Sequence, residues 1–205
     1  MKLYSINTGY FKLDGGAMFG VVPKSIWHKI NPADENNLCS WALRCLLIED
    51  GKRLTLIDNG IGDKQDEKFF GHYYLHGNDT LDKSLAAHGF SKNDITDVIL
   101  THLHFDHCGG SIKRDGDKLV PAFKNAVYWS NARHWKWATE PNDREKASFL
   151  KENIDKARHI LGKDRITSLD GFSGSGVVSR LLREYSTTLY TNDLEPYVKT
   201  INECY

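Results

Sequence analysis

The stretch THLHFDHCGG, residues 101–110, places His102, His104, Asp106 and His107 within six positions, directly after the apolar run DVIL at 97–100. Imidazole and carboxylate are the ligand types of zinc and iron. On a loop leaving a strand, a spacing of two lets His102 and His104 point the same way, while Asp106 and His107 converge from the backbone one turn later. Two such pairs suit two metals side by side, an arrangement that activates water for hydrolysis. Gly109 and Gly110 then let the chain turn tightly behind the cluster. The competing reading is a surface loop that happens to be rich in histidine. Four ligand-type residues in six positions at the mouth of a buried-type strand weigh against it.

The elements that must hold this loop are legible from periodicity. KLYSIN and AMFGVV read as short strands, and ALRCLLIED and RLTLIDNG as a hairpin turning at Asp50-Gly51. TLDKSLAAHGF reads as a helix with Leu81, Leu85 and Ala86 on one face and Gly89 as its stop, and SKNDITDVILTH as a buried strand. A helix preceding a strand sets the class as α/β. Beyond the cluster, NAVYWS reads as a strand and NARHWKWA as a helix capped by Asn131. Pro141 then opens a longer helix with Ala147, Leu150, Ile154, Ala157 and Leu161 in register. His134 and His159 fall on these helices and read as solvated residues.

Composition narrows the partners. The 205 residues contain 27 Lys plus Arg and 27 Asp plus Glu, so no net field favours nucleic acid or a membrane surface. The N-terminus has no continuous apolar segment and no stretch approaches the ~18 apolar residues of a membrane span, which gives a cytoplasmic expectation with no membrane partner. Cys39, Cys45, Cys108 and Cys204 form no CxxC pair, and reduced thiols are expected.

THLHFDHCGG with its preceding strand resembles the HxHxDH signature of the metallo-β-lactamase fold hydrolases. LIDNG, residues 56–60, is similar to the strand-end Asp-x-Gly of that family, and DGGAMFGVVPK near the start adds to the likeness. The resemblance covers about residues 1–153 and is nearest to the lactonase-like and thioesterase-like branches. It implies an αββα sandwich, of which this segment is the first half. It also implies a bimetal hydrolase with His102 and His104 on one zinc, and Asp106 and His107 on the other. Water whose pKa is lowered towards neutrality would attack a carbonyl carbon, Asp106 would orient that nucleophile as the catalytic residue, and Asp58 would fix a ligand from behind. The family's later ligands, a His in a Gly-His-Thr turn, a bridging Asp and a last His, find no match here. Each of one or two zincs is therefore left with two side chains. The half-sandwich is expected to expose the apolar face of its sheet and to self-associate through it.

A second motif is LDGFSGSGVVSRLL, residues 169–182, a glycine-rich turn between a strand and an apolar-striped helix, followed by the strand LYTNDLE. Asp170, Phe172, Gly174 and Gly176 resemble the S-adenosylmethionine-binding motif of DNA adenine methyltransferases, and the similarity covers about residues 163–205. It implies a Rossmann-like βαβ unit in which the Gly174–Gly176 turn holds the methionine part of weakly bound S-adenosylmethionine and Asp193 holds its ribose. Nucleic acid would be a partner only if this unit works. The family's Asp/Asn-Pro-Pro-Tyr/Phe motif does not occur.

The expectation is thus an N-terminal hydrolase-like half at 1–153, a junction at 154–164 and a partial cofactor-binding unit at 165–205. The function expected is a zinc-dependent hydrolase of esters, lactones or thioesters, incomplete as it stands. The alternatives are a methyltransferase fragment and an inactive chimera.

Overall fold

The structure, a computed structural model, describes residues 1–154 and the short strands 168–170 and 189–191. In chain order the elements are β1 (Lys2–Asp14), α1 (Gly15–Phe19), α2 (Lys24–Trp27), β2 (Leu38–Asp50), β3 (Arg53–Ile57), α3 (Glu67–Gly71), α4 (Leu81–Ala87), β4 (Asp97–Ile99), α5 (Phe105–Cys108), β5 (Ile112–Asp115), β6 (Lys118–Pro121), β7 (Val127–Trp129), α6 (Ala132–Thr139), β8 (Ser168–Asp170) and β9 (Leu189–Thr191).

Five strands form a mixed sheet in the order β1-β2-β3-β4-β7. The first three are antiparallel, and β3, β4 and β7 run parallel. The β2–β3 hairpin forms as expected, but Asp50 still pairs with Arg53 and the turn is Gly51-Lys52, one residue on from the Asp50-Gly51 turn expected, with Gly51 at φ 60°. Between Asn7 and Tyr10 the β1–β2 register shifts, so two residues of β1 oppose one of β2. At that bulge the Thr8 hydroxyl donates to the Leu43 carbonyl at 2.8 Å.

One core cluster gathers Ile6, Leu47, Leu56, Leu85, Val98 and Phe123 between the sheet and its covering helices. A second, around Phe11, Leu43, Ile61 and Phe105, is largely aromatic and takes in Phe69 and Tyr73. In α4 Leu81 and Leu85 are buried as expected, but Ala86 is exposed. The inner face is instead completed by Ser84, whose hydroxyl donates to the Asn7 carbonyl at 2.5 Å.

Several sequence expectations are corrected. AMFGVV is not a strand: Asp14 accepts the Ala17 amide at 2.8 Å and caps α1, and Phe19 stacks on Trp27. The helix expected from Pro141 does not form over 141–150. The Asn142 side chain accepts the Arg144 and Glu145 amides, closing turns that lead into a short 3-10 segment, and helix begins only at 151. The β5–β6 hairpin, turning at Asp115–Lys118, was not anticipated. Ala157, His159 and Leu161 lie outside the described residues.

The chain is a mixed α/β protein, as expected. The strand expected before the glycine-rich turn and the strand LYTNDLE are present as β8 and β9, paired in parallel, and Asp170 ends β8. Phe172, Gly174, Gly176 and Asp193 lie outside the described residues, as does Cys204. Cys39, Cys45 and Cys108 are buried free thiols. No helix among the described residues is long and apolar enough to cross a membrane.

The parallel strands are tied by Asp97 at the start of β4. Its carboxylate accepts from Arg53 at 2.7 and 3.2 Å, from the Trp129 indole at 2.9 Å and from the Thr96 hydroxyl at 2.7 Å, joining β3, β4 and β7. Burial alone would raise its pKa, but these donors outweigh burial and lower it. A carboxylate depressed on folding stabilises above its unfolded pKa, about 4, and loses that contribution as pH falls through the folded value. Asp97→Ala is therefore expected to cost about 2 kcal/mol at pH 7, moderated because Arg53 faces solvent. In urea titrations the gap between the wild type and the variant should shrink as pH drops below about 4. A gap independent of pH would refute the assignment.

Candidate metal centre

The carboxyl ends of β3 and β4 lie side by side, and the chain leaves both into loops that meet. This is where parallel α/β sheets place their ligands. Leaving β3, the Asp58 amide donates to the Ile99 carbonyl at 2.9 Å, and Asp58 takes a left-handed conformation with φ 58°. Its carboxylate accepts the Thr101 amide at 2.9 Å and the Thr101 hydroxyl at 2.8 and 3.0 Å, and meets His107 Nδ1 at 2.8 Å. With Nδ1 donating to that carboxylate, Nε2 is the ring nitrogen turned towards Asp106, 3.4 Å from its Oδ2.

The sequence-predicted ligands come together. The His102 ring centroid lies 3.8 Å from that of His107 and 4.7 Å from that of His104. Burial and the neighbouring imidazoles of His107 and His104 lower the His102 pKa to about 4, and burial lowers that of His104, so both rings are neutral with lone pairs to offer. Asp106 is buried, which alone would raise its pKa, yet its contact with His107 lowers it. For His107, burial opposes charge, but Asp106 and Asp58 prevail and push it up to about 9. The local field thus favours positive charge at Nε2.

Neutral imidazoles, an ionised carboxylate and a histidine oriented from behind by another carboxylate are the donor set of a zinc site, and in kind they fit it. As the side chains stand, no group of three or more His, Cys, Asp or Glu among the described residues is arranged to hold a metal ion.

The loop after Asp58 grips the cluster from the side. The Asn59 amide donates to the His107 carbonyl at 2.9 Å, the Gly110 amide to the Gly60 carbonyl at 3.1 Å, and the Asn59 side-chain amide to the Ser111 hydroxyl at 2.8 Å. A Cβ on Gly109 would run into the Ile61 carbonyl, and one on Gly110 into that of Asn59, so the close approach requires glycine at both. Phe105 packs edge-on against Phe69 and at a tilt against Tyr73, with centroids 5.5 and 4.6 Å away.

His134 corrects the reading of it as a solvated helix residue. Asn131 caps α6 by accepting the His134 amide at 3.0 Å, as predicted. The half-buried His134 ring reaches back, and its Nε2 accepts the Leu103 amide at 2.9 Å, between His102 and His104. Phe149 packs against both His134 and His104. His134 therefore holds the loop, with its lone pair committed to the backbone. Only the proximity of an imidazole to NARHWKWA's cap hinted at this, and nothing local revealed the partner. A cavity of about 420 Å³ is lined by Thr8, Tyr10, Asn59, Asp63, Asp79 and Lys113 among others and by none of the candidate ligands.

Asparagine tolerates the left-handed conformation but lacks the charge. Asp58→Asn should therefore leave the fold intact and weaken zinc binding about 10–100-fold. Competition with a chromophoric chelator measures this; equal affinity would remove Asp58 from the site.

The family model described as Metallo-beta-lactamase superfamily matches residues 44–202, running through the junction expected at 154–164. N-acyl homoserine lactonases of Bacillus thuringiensis and Bacillus cereus are 28% identical over 120 residues, 54% of this chain and 44% of theirs, so the chain spans less than half the length of these relatives. A probable metal-dependent hydrolase from Staphylococcus aureus superposes with a TM-score of 0.71 at 28% identity, covering 95% of this chain and 60% of that one. AidC, a dizinc quorum-quenching lactonase, gives a TM-score of 0.59 at 26% identity, over 82% and 57%. With a match over most of its length, this chain belongs to the metallo-β-lactamase superfamily.

Proposed function

We propose that the chain is a zinc-dependent hydrolase of small esters, lactones or thioesters, with lactones the leading class. The observation that carries this reading is the Asp58–His107–Asp106 arrangement beside two neutral imidazoles at the ends of parallel strands. The lactonase relatives and the dizinc neighbour support the substrate class and the metal.

His102 and His104 would hold one zinc, and Asp106 with His107 the other. Zinc, when bound, supplies a Lewis acid that brings the pKa of water towards neutrality and polarises a carbonyl. Asp58 keeps the proton on His107 Nδ1 and so presents Nε2. Asp106, ionised and buried, orients the attacking water and accepts its proton. Attack on the carbonyl carbon breaks the bond to the leaving oxygen or sulfur, which takes up a proton. The described residues supply two side chains per metal where catalytic zinc has three, so a further ligand must come from outside them.

A second reading, S-adenosylmethionine binding by residues 165–205, is favoured by the parallel pairing of β8 and β9, which a βαβ unit requires. The hydrolase reading is preferred because the family match runs through residue 202.

The deciding experiment is zinc content per chain after purification without added metal, together with lactone hydrolysis. One to two zincs are expected, lost in the His102→Ala, His104→Ala double variant along with any turnover. Zinc retained in that variant would place the site elsewhere. Absence of zinc, with S-adenosylmethionine binding lost on Asp193→Ala, would favour the second reading.

A further inference from the structure

Lys64 carries a charge into the interior without a carboxylate beside it. It is 2% exposed, and its ammonium donates to the Gly109 carbonyl at 2.5 Å. Among the described residues Asp63 and Glu152 influence it only from beyond ion-pairing range, and Glu152 faces Arg114 instead, at 3.8 Å. An ammonium buried on a neutral acceptor is unfavourable, and methionine would fill similar space without that penalty. Packing alone gives no reason for a lysine here.

Its location does. The Gly109 carbonyl lies just past the C-terminal end of α5, where a cation is favoured, two residues beyond His107. The bonds that Asn59 and Gly60 make to His107, Gly110 and Ser111 lie beside it. The Lys64 carbonyl in turn accepts from Arg114 Nε at 2.8 Å, which anchors the lysine on β5.

We propose that Lys64 is a positioning residue for the metal loop: its ammonium on the Gly109 carbonyl fixes the end of the segment carrying His102 to His107, so metal affinity depends on a side chain that touches no metal. This rests on the zinc reading above, and the test separates the two.

The test uses the full chain with Lys64→Met. Zinc affinity is measured by chelator competition. Amide exchange is followed in the metal-free protein at Asn59 and Gly110, with Leu47 and Leu56 of the sheet as internal references. Zinc affinity should fall about tenfold or more. The Asn59 and Gly110 amides should exchange faster by a similar factor while the sheet amides and the thermal midpoint hold. Unchanged exchange at Asn59 and Gly110, faster exchange everywhere, or loosened amides with unchanged zinc affinity would each overturn the proposal. If the wild type binds no zinc, the metal reading fails by itself, and the exchange comparison still decides whether Lys64 fixes the loop. Should Lys64→Met not fold, Lys64→Gln is judged by the same criteria.

Discussion

The arrangement of the site depends on one carboxylate. Asp58 takes a left-handed conformation that aspartate reaches at modest cost and that its surroundings here determine. Thr101, through amide and hydroxyl, and His107, through Nδ1, provide that determination. The same contacts make the end of β3 and the start of the histidine loop a single unit, because Thr101 precedes the first histidine and His107 is the last. The backbone conformation of Asp58 and the orientation of His107 are therefore two aspects of one interaction.

The rest of the neighbourhood serves to keep that unit in place. The α5 helix has four residues, too short to be stable alone, so its position comes from tertiary contacts. Phe105 inserts into the aromatic cluster below, residues 59–64 approach from the side at backbone distance, and His134 holds the Leu103 peptide from above. Apolar packing, close backbone approach and a side-chain acceptor each fix a different part of the loop.

What the sequence revealed and what it hid follow the range of the interactions. The histidine cluster and the Asp50-Gly51 hairpin were legible because their determinants are neighbours in the chain. AMFGVV was misread because a short apolar run is ambiguous between strand and helix, and the deciding contacts were the Asp14 cap and the stacking of Phe19 on Trp27. The helix expected after Pro141 failed because Asn142 turned its side chain onto the following amides, a local competitor that apolar periodicity does not register. Asp115-Gly116 carries the same Asp-Gly signal as Asp50-Gly51, but the runs flanking it are only four residues long and weakly apolar, so the β5–β6 hairpin has little period-2 pattern to mark it. His134 and Lys64 were hidden for another reason. Their partners, Leu103 and Gly109, are 31 and 45 positions away, and composition says nothing about contacts of that span.

The direction change within the sheet also governs how the molecule assembles. On one side of β3 lies an antiparallel partner reached through a two-residue turn. On the other lies a parallel one reached only after a crossover of some forty residues containing α3 and α4. Loop-closure entropy makes the first pairing fast and the second slow. The β2–β3 hairpin is therefore the natural nucleus, and the histidine loop, which needs β3 and β4 already side by side, is completed late. A site built in that order can be empty or distorted on a chain whose antiparallel sheet is fully formed.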